Sequence, residues 1–370
     1  MRSPMDKKTF LDFYKNTMLS CSNTLQRFLC KKLEAEHRIT FEEQVNIEDT
    51  SDTLFIESKK DFKSIIAKTT TNTAFINFYE EFEFKKLYKY SVPFFYKEKD
   101  DKSIRIILEE KEIKFFNEEY ETDYIIDSSL KEAEPIAYVV DNKIFVKFTL
   151  QKVYLQAETY DKVDYRYPII IYIDTALKVL EVRYDSIRFG EQFDSDTYGK
   201  IVNACVSWVQ DNLNIDLFVC EHVDAIKVIN DKENADVKMY KQMMELSTGG
   251  SAELKASESA DSVLPFIGEI RELIDENEDL FNESDEIKQI LLQYLNDKEA
   301  TASYPYIYVK WVKPVESQSY IVKITFDYFN NKYTLLQHIT GNCKDLGMER
   351  MNDAIEYLCT SGSFVEGEKI

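Results

Sequence analysis

Two adjacent runs of alternating apolar residues between positions 136 and 187 constrain the fold more than any other feature. The first run, IAYVVDNKIFVKFTLQKVYLQ, is divided by Asp141 and Asn142, a pair typical of hairpin turns. In the second run, YPIIIYIDTALKVLEVRYDSI, Asp174 lies where one apolar segment ends. Short connections between such segments favour antiparallel pairing. We therefore predict two successive β-hairpins in an antiparallel sheet.

Helical periodicity precedes and follows these hairpins. Apolar residues recur at spacings of three and four through residues 6–33, and the polar SCSN at 20–23 is expected to break this segment into two helices. Asp196 has the character of an N-cap for a helix that ends near Leu213. Helices and strands are thus mixed along the N-terminal two thirds of the chain.

The stretch 74–116 is rich in Phe, Tyr, Lys and Glu, and its pattern is less decisive. We predict a helix near 75–90 and a strand at 103–109. Its apolar residues fit a core-facing helical stripe, whereas aromatic rings interleaved with lysines also suit base stacking. Core packing is the favoured interpretation, and surface exposure stays open as the alternative.

The C-terminal third begins with a change of composition. Residues 243–262 lose apolar periodicity and become rich in Ser, Ala, Glu and Gly, which is typical of a flexible linker. An acidic helical stretch follows, then three strand-like runs with Asn330 and Asn331 between the last two, and a final helix. This order predicts a separate helix–β–β–β–helix domain.

The predicted fold class is therefore α+β, with N-terminal helices, an antiparallel sheet domain, a linker and a smaller second domain. A chain of 370 residues suits more than one hydrophobic core. The predicted divisions are a mixed region at 1–130, an antiparallel α+β region at 131–242 packed with it, the linker at 243–262, and the C-terminal domain at 263–370.

The charge balance disfavours whole-surface attraction to nucleic acid or anionic lipid. The chain carries 46 Lys and Arg against 67 Asp and Glu, a formal net charge of −21. Such a field repels phosphate, although enough cations exist to form a local basic groove. No glycine-rich phosphate-binding motif occurs. We therefore predict no cofactor, and expect nucleic acid binding only through a local surface.

Cysteine usage and hydropathy indicate an intracellular location. The six cysteines show no C-x-x-C pair and several lie among apolar residues, which is typical of reduced thiols rather than a disulfide framework. The longest apolar run, YPIIIYI, is too short to cross a bilayer, and the first residues lack the apolar core of a signal peptide. The predicted location is the cytoplasm, without membrane association.

Asp174, Glu181 and Arg183 form the one arrangement that suggests catalysis. A carboxylate followed by E-x-K on a neighbouring strand is how many metal-dependent nucleases hold Mg²⁺, here with Asp174 and Glu181 as metal ligands. Arg183 replaces the usual lysine, and arginine can clamp a phosphate but cannot act as a base. Strand alternation also explains the acids, because Glu181 and Arg183 would face solvent. A solvated hairpin is the favoured interpretation, and the nuclease is the alternative.

Two further patterns bear on function. Cys220 and His222 would share one strand face, but i, i+2 partners are poorly directed at each other, so a structural cysteine beside a surface histidine is favoured. The strand run beginning near residue 304 offers aromatic residue types that anchor protein interfaces. These candidate interface residues are Tyr304, Tyr306, Tyr308 and Trp311.

The element order of the C-terminal domain resembles that of double-stranded-RNA-binding domains, which implies RNA binding at the start of the last helix. Members of that family hold phosphates with a basic patch there. In this chain Lys344 and Arg350 are offset by acids, namely Asp345, Glu349 and Asp353. RNA binding within 263–370 is therefore kept only as an alternative.

The sequence-based hypothesis is a non-enzymatic protein-interaction subunit of a bacterial multi-protein system. It follows from the lack of nucleophile, metal and nucleotide motifs in the sequence. A composition rich in Lys, Ile, Tyr and Phe and poor in Gly is typical of AT-rich bacteria, and it suggests an accessory system such as antiviral (phage) defence. The expected partners are other protein subunits.

Overall fold

A computed structural model provides the structure of the chain. It describes residues 4–41, 53–118, 121–156, 159–188, 196–221, 229, 237–245, 251–255, 267–301, 303–311, 320–339 and 347–370. Helices and a mixed β-sheet arrangement coexist, so the chain is of the α+β class, as predicted.

The chain divides into two compact units. Unit 1 comprises residues 1–88, 96–216 and 345–348, and unit 2 comprises 89–95, 217–344 and 349–370. These limits differ from the predicted domain divisions, because neither unit is one continuous segment of the chain. Each unit builds its own layers from helices and strands.

Four helices of unit 1 begin at residues whose side chains satisfy free backbone N–H groups. Asp6, Ser22, Asp61 and Ser103 each accept a hydrogen bond from the backbone N–H three residues later. The predicted break at 20–23 is confirmed. The helices are α1 (Lys7–Leu19), α2 (Asn23–Ala35), α3 (Phe62–Thr70), α4 (Ile76–Lys85), α5 (Ile104–Glu110) and α6 (Thr197–Asn212), with a 3₁₀ turn at Thr73–Phe75.

The strands of unit 1 form the two predicted hairpins. Asp141 adopts the left-handed conformation (φ 52°) that the first turn requires. The sheet order is β8–β7–β6–β5–β4, antiparallel except for the parallel β4–β5 pair. The strands are β1 (Ile39–Thr40), β2 (Leu54–Phe55), β3 (Tyr90–Glu98, shared by both units), β4 (Lys114–Phe115), β5 (Ile136–Val140), β6 (Lys143–Leu155), β7 (Lys162–Asp174) and β8 (Val179–Tyr184).

The aromatic-rich stretch 74–116 is core, as the favoured interpretation held. Phe75, Phe78, Tyr79 and Phe82 are buried against α1, α2 and α3 in one apolar cluster. The strand predicted at 103–109 is wrong, because residues 104–110 form α5. Its buried Ile104, Ile107 and Leu108 recur at helical spacing, and the Ser103 cap favours helix initiation.

Unit 2 contains a predominantly antiparallel sheet covered by helices. The strand order is β11–β10–β12–β13–β14–β3, and β15 pairs with β9. The strands are β9 (Ile215–Glu221), β10 (Val237–Glu245), β11 (Ser251–Lys255), β12 (Tyr306–Trp311), β13 (Tyr320–Asp327), β14 (Tyr333–Ile339) and β15 (Val365–Lys369). The helices are α7 (Ile267–Glu276), α8 (Glu278–Asn282), α9 (Asp285–Thr301) and α10 (Glu349–Thr360), with a helical turn at Tyr328–Asn331.

The segment predicted as a linker contains paired strands. Residues 243–245 end β10, and 251–255 form β11, which pairs antiparallel with β10. Small polar residues suggested a linker, but they are also compatible with a strand whose side chains do not contribute to a hydrophobic core. The helix–β–β–β–helix order is present, but β10, β11, β9 and β15 add to it. None of the helices in the described ranges has the length and apolar character needed to span a membrane.

Candidate functional site

Asp174 caps the turn between β7 and β8. Its Oδ1 accepts hydrogen bonds from the backbone N–H groups of Ala176 and Leu177 and from Asn142 Nδ2, each at 3.0 Å. Its Oδ2 accepts a hydrogen bond from the Tyr172 hydroxyl at 3.2 Å. Only 4% of the side chain is exposed. The carboxylate therefore fixes the hairpin by engaging both oxygens within the protein.

Glu181 and Arg183 form a fully buried ion pair. Arg183 Nε lies 3.0 Å from Glu181 Oε2, and both side chains have 0% exposure. The guanidinium carbon lies 3.8 Å from the centre of the Tyr172 ring, and Nη1 contacts Met348 Sδ at 3.6 Å. Glu181 Oε1 has no hydrogen-bond partner among the described residues. Glu181 thus depends on Arg183 to offset its burial.

The solvated hairpin face predicted for these residues is wrong. Tyr172 pairs directly with Glu181, and Asp174 with Val179, so the sheet places Asp174, Glu181 and Arg183 on one face. Every residue of β8 is buried, however, because both faces of this strand are covered. The alternation of charged and apolar residues therefore marks two buried faces, one of which contains an ion pair.

The geometry of these carboxylates does not suit a hard cation. Mg²⁺ requires several oxygen ligands with free lone pairs in octahedral geometry. Asp174 is occupied by N–H and O–H donors, and Glu181 is neutralised by Arg183. Across the described residues, no group of three or more His, Cys, Asp or Glu side chains could hold a metal ion. The nuclease hypothesis stays a prediction without geometric support.

A second buried charged cluster was missed by sequence reasoning. Glu80 and Glu83 on α4 meet Lys147 on β6 and Arg166 on β7, and all four are almost fully buried. We call these four residues the charge cluster. Glu80 and Glu83 are one helical turn apart, so both carboxylates leave the same face of α4. This spacing was the signal that the sequence offered for the charge cluster, but it does not show which cations pair with the two carboxylates.

The charge cluster is satisfied by multiple contacts. Arg166 Nε and Nη2 lie 3.0 and 2.9 Å from the two oxygens of Glu83, and Nη2 lies 2.7 Å from Glu80 Oε1. Lys147 Nζ lies 2.9 Å from Glu83 Oε2 and also pairs with Glu80. The Tyr14 hydroxyl donates to Glu80, and its ring lies 4.0 Å from the Arg166 guanidinium carbon. The cluster is therefore neutral overall and internally paired.

Burial and pairing set the protonation states of the charge cluster. Burial raises the pKa of Glu83, but Arg166 and Lys147 lower it further, to about 2. Burial lowers the pKa of Arg166, while the charges of Glu83, Tyr14 and Glu80 raise it well above its usual range. Burial raises the pKa of Tyr14, which keeps this phenol a neutral donor. Glu83 thus acts as an anchor for the two cations rather than as a proton donor.

A cavity of about 380 Å³ adjoins the charge cluster. Glu80, Lys147 and Arg166 contribute to its lining, together with Phe10 and Thr149. Because Glu80, Lys147 and Arg166 already have partners of opposite charge, their part of the polar wall is structural. The cavity offers a polar surface without an activated nucleophile or base.

We expect Glu83 to make the stability of the protein depend on pH in the acid range. Its folded pKa of about 2 lies below the unfolded value, so its contribution is complete above about pH 4.5 and fades as the pH falls towards 2. Glu83→Gln removes this titration. The difference in unfolding free energy between wild type and Glu83→Gln should therefore shrink by about 2 kcal/mol from about pH 6 to about pH 3. Urea unfolding at both pH values measures it, and a constant difference would contradict the assignment.

The remaining predicted residues are dispersed. Cys220 is buried, whereas His222 lies outside the described residues, so this pair stays a prediction. Arg350 is buried near the Tyr320 ring, and Lys344 lies outside the described residues. Arg350 is therefore unavailable for the phosphate contact that the RNA-binding resemblance implies.

The four candidate interface residues occupy different environments. Trp311 is buried, with its ring 5.9 Å from the rings of both Tyr320 and Tyr357. Tyr304 packs against a small apolar cluster. Tyr306 and Tyr308 are half-buried on the other face of β12, with ring centres 5.8 Å apart. The strand alternation that separates them was visible in the sequence.

An exposed apolar stripe on α9 was not identified from the sequence. Ile287, Ile290 and Tyr294 are 55%, 66% and 53% exposed. Their spacings of three and four place them on one side of the helix. The adjoining face carries Leu291, Leu292 and Leu295, which pack inward. The sequence showed the apolar residues but not which side would be buried.

No protein-family model matches the sequence. No curated protein matches it either.

Proposed function

We propose that this chain is a non-enzymatic interaction protein that docks a partner protein on the acidic helices α7, α8 and α9. The observation that carries the proposal is the α9 stripe, Ile287, Ile290 and Tyr294, each more than half exposed. Exposed apolar side chains grouped on one surface are typical of interaction sites. Single exposed apolar residues scattered over a surface are common and would not indicate an interaction site.

Internal packing does not account for the stripe. The small apolar cluster of this region buries Met244, Ile274 and Leu295 and involves the face of α9 that adjoins the stripe. Leu273 on α7 and Leu280 on α8 are also more than half exposed. Five of the large apolar side chains in this segment are therefore oriented away from that cluster, where a partner could cover them.

The charge of the segment indicates the chemistry of the partner. Residues 267–301 contain eleven Asp and Glu against three Lys and Arg, a larger excess than the chain average. Described acids near the stripe include Glu283, Asp285 and Glu286, all exposed. An apolar stripe with an acidic surround complements a partner that presents apolar side chains within a basic rim. We commit to a basic protein surface as the occupant.

Wider aspects of the proposal rest on composition alone. The AT-rich bacterial composition supports a role as subunit of a multi-protein system, with antiviral defence as its proposed setting, and cysteine usage supports a cytoplasmic location. No specific geometric observation favours the nuclease alternative over this proposal.

Replacing stripe residues is expected to weaken partner binding while leaving the fold intact. Ile287→Ser/Ile290→Ser removes two apolar contacts and should weaken binding at least about tenfold, because central apolar contacts dominate interfaces. Since both side chains are exposed, the unfolding free energy should change by less than about 1 kcal/mol. A photo-crosslinking residue at position 290, introduced in the native host, identifies the partner, and titration with the purified partner measures the loss.

Gln289 provides the matched control. It is also exposed on α9, but its position on the helix is about 100° or more from the stripe. The same crosslinker at 289 should capture the partner far less than at 290. Equal capture at both positions, a partner that is acidic, or binding unaffected by Ile287→Ser/Ile290→Ser would each refute the proposed docking surface.

A further inference from the structure

One face of the unit 2 sheet concentrates lysines and tyrosines on an otherwise acidic chain. We define the lysine–tyrosine face as the described residues Lys238, Lys241, Tyr306, Tyr308, Lys310 and Lys323, carried by β10, β12 and β13. The opposite face of these strands carries Ile307, Val309, Val322 and Ile324, which are fully buried. The lysine–tyrosine face is the outer face, with its side chains half-buried or exposed.

Strand register brings these residues side by side. Tyr308 is paired with Lys241 on one side and with Lys323 on the other. Tyr306 is the next residue along the same face of β12, two positions away. Because paired residues of neighbouring antiparallel strands lie about 5 Å apart, the tyrosines and lysines alternate across one continuous surface.

The tyrosine rings already interact with cations. Lys323 Nζ lies 3.8 Å from the Tyr306 ring centre and 5.7 Å from that of Tyr308, while Lys241 Nζ lies 5.2 Å from Tyr308. Partial burial lowers the pKa of Lys323. The two rings and these ammonium groups thus form adjacent cation–π contacts on the outer face of the sheet.

The lysine–tyrosine face places two positive charges opposite each other, an arrangement that does not help the sheet to fold. Lys238 and Lys310 are directly opposite each other on β10 and β12. Like charges in this position destabilise a sheet. The described acids on this face lie at its margins: Glu253 pairs with Lys241 and Tyr306, and Glu245 and Asp327 are the last residues of their strands. Because Glu253 already pairs with Lys241, the cations suited to an external anion are Lys238, Lys310 and Lys323.

We propose that the lysine–tyrosine face binds single-stranded nucleic acid. The lysines would contact successive phosphates, and Tyr306 and Tyr308 would stack unpaired bases, which is how sheet surfaces bind single strands. A duplex would bury its base faces and leave the two rings unused. This surface differs from the docking stripe on α9, so the inference does not rest on the proposed function.

The net charge of the chain sets the expected binding regime. Long-range repulsion by −21 charges slows the approach of a polyanion, so affinity depends on local contacts and on screening. We expect measurable binding at low ionic strength that weakens with salt, with a slope of about −0.7 per phosphate contacted.

The test is fluorescence anisotropy of the full chain with labelled oligo(U) and oligo(dT) of about 12 nucleotides, titrated over salt. Lys238→Gln/Lys310→Gln removes two cations that repel each other, so the fold should be retained. This variant should reduce the salt slope by about 1.4. Tyr308→Leu should raise the dissociation constant about fivefold or more with an unchanged slope, because base stacking does not depend on counterion release.

Control variants test whether binding depends on the lysine–tyrosine face or only on the number of positive charges in the chain. Lys102→Gln/Lys178→Gln removes two exposed lysines of unit 1 and should leave the slope unchanged. Circular dichroism checks that each variant is folded. Absence of binding at the lowest salt, insensitivity to both sets of face substitutions, or equal competition by a polyglutamate peptide with no effect of Tyr308→Leu would overturn the proposal.

Discussion

Arg166→Met is expected to lower the free energy of unfolding by about 3–5 kcal/mol. The substitution leaves Glu80 and Glu83 buried with Lys147 as their only cation within the charge cluster. Glu83 then loses the two-pronged contact that occupies both of its oxygens. A buried carboxylate without compensation costs more than the lost attraction alone, because it cannot recover its hydration. Urea or thermal unfolding measures the change.

Arg105 is a matched control for this prediction. It also contacts two carboxylates, Glu109 at 2.9 Å and Glu118 at 2.7 Å, but its side chain is 45% exposed. Arg105→Met should therefore cost less than about 1 kcal/mol. The double variant Arg166→Met/Glu83→Leu restores one anion to one cation and should be more stable than Arg166→Met alone. Similar losses for Arg105→Met and Arg166→Met would contradict the role of burial.

Arg183→Met is expected to destabilise the protein by a similar amount, about 3–5 kcal/mol. Glu181 would lose its ion-pair partner, and its second oxygen already lacks a hydrogen-bond partner among the described residues. The flat guanidinium also stacks on Tyr172, which lysine cannot reproduce, so Arg183→Lys should be destabilising too. Chemical denaturation of the purified variants provides the measurement.

A double-mutant cycle distinguishes an ion pair from simple packing. Glu181→Leu/Arg183→Met removes both charges and should be more stable than either single variant. The coupling between the two substitutions should thus be large and of opposite sign to their individual effects. If the two losses instead add, Arg183 contributes mainly through its contacts with Tyr172 and Met348.

Secondary structure was predictable where the period of the apolar residues and the type of the turn residues indicated the same element. The hairpins around Asp141 and Asp174 combine alternating apolar residues with turn residues, and both signals are local. The segment 104–110 was misassigned because a short apolar run fits a helix as well as a strand. β11 pairs with the neighbouring β10, but its residues, SAELK, are small or charged and lack a strand-like apolar pattern, so composition suggested a linker.

The candidate sites were less predictable, because burial is a property of the assembled chain. Glu181 and Arg183 alternate with apolar residues, which is also the pattern of a half-solvated strand. Only the packing over both faces of β8 makes them a buried pair. Likewise Lys147 and Arg166 are far in sequence from α4, and no local pattern connects them to Glu80 and Glu83. The lysine–tyrosine face emerges only when three strands are placed in register.

The charge cluster also limits how β6 and β7 can pair. Lys147 on β6 and Arg166 on β7 approach α4 only because Gln151 pairs with Arg166 and Lys147 with Ile170. A slip of either strand by one residue would turn its cation to the opposite face and leave carboxylates buried against apolar groups. The many apolar residues of β6 and β7 would tolerate such a slip, whereas the four residues of the charge cluster would not. Misregistered pairings are therefore excluded by electrostatics rather than by packing.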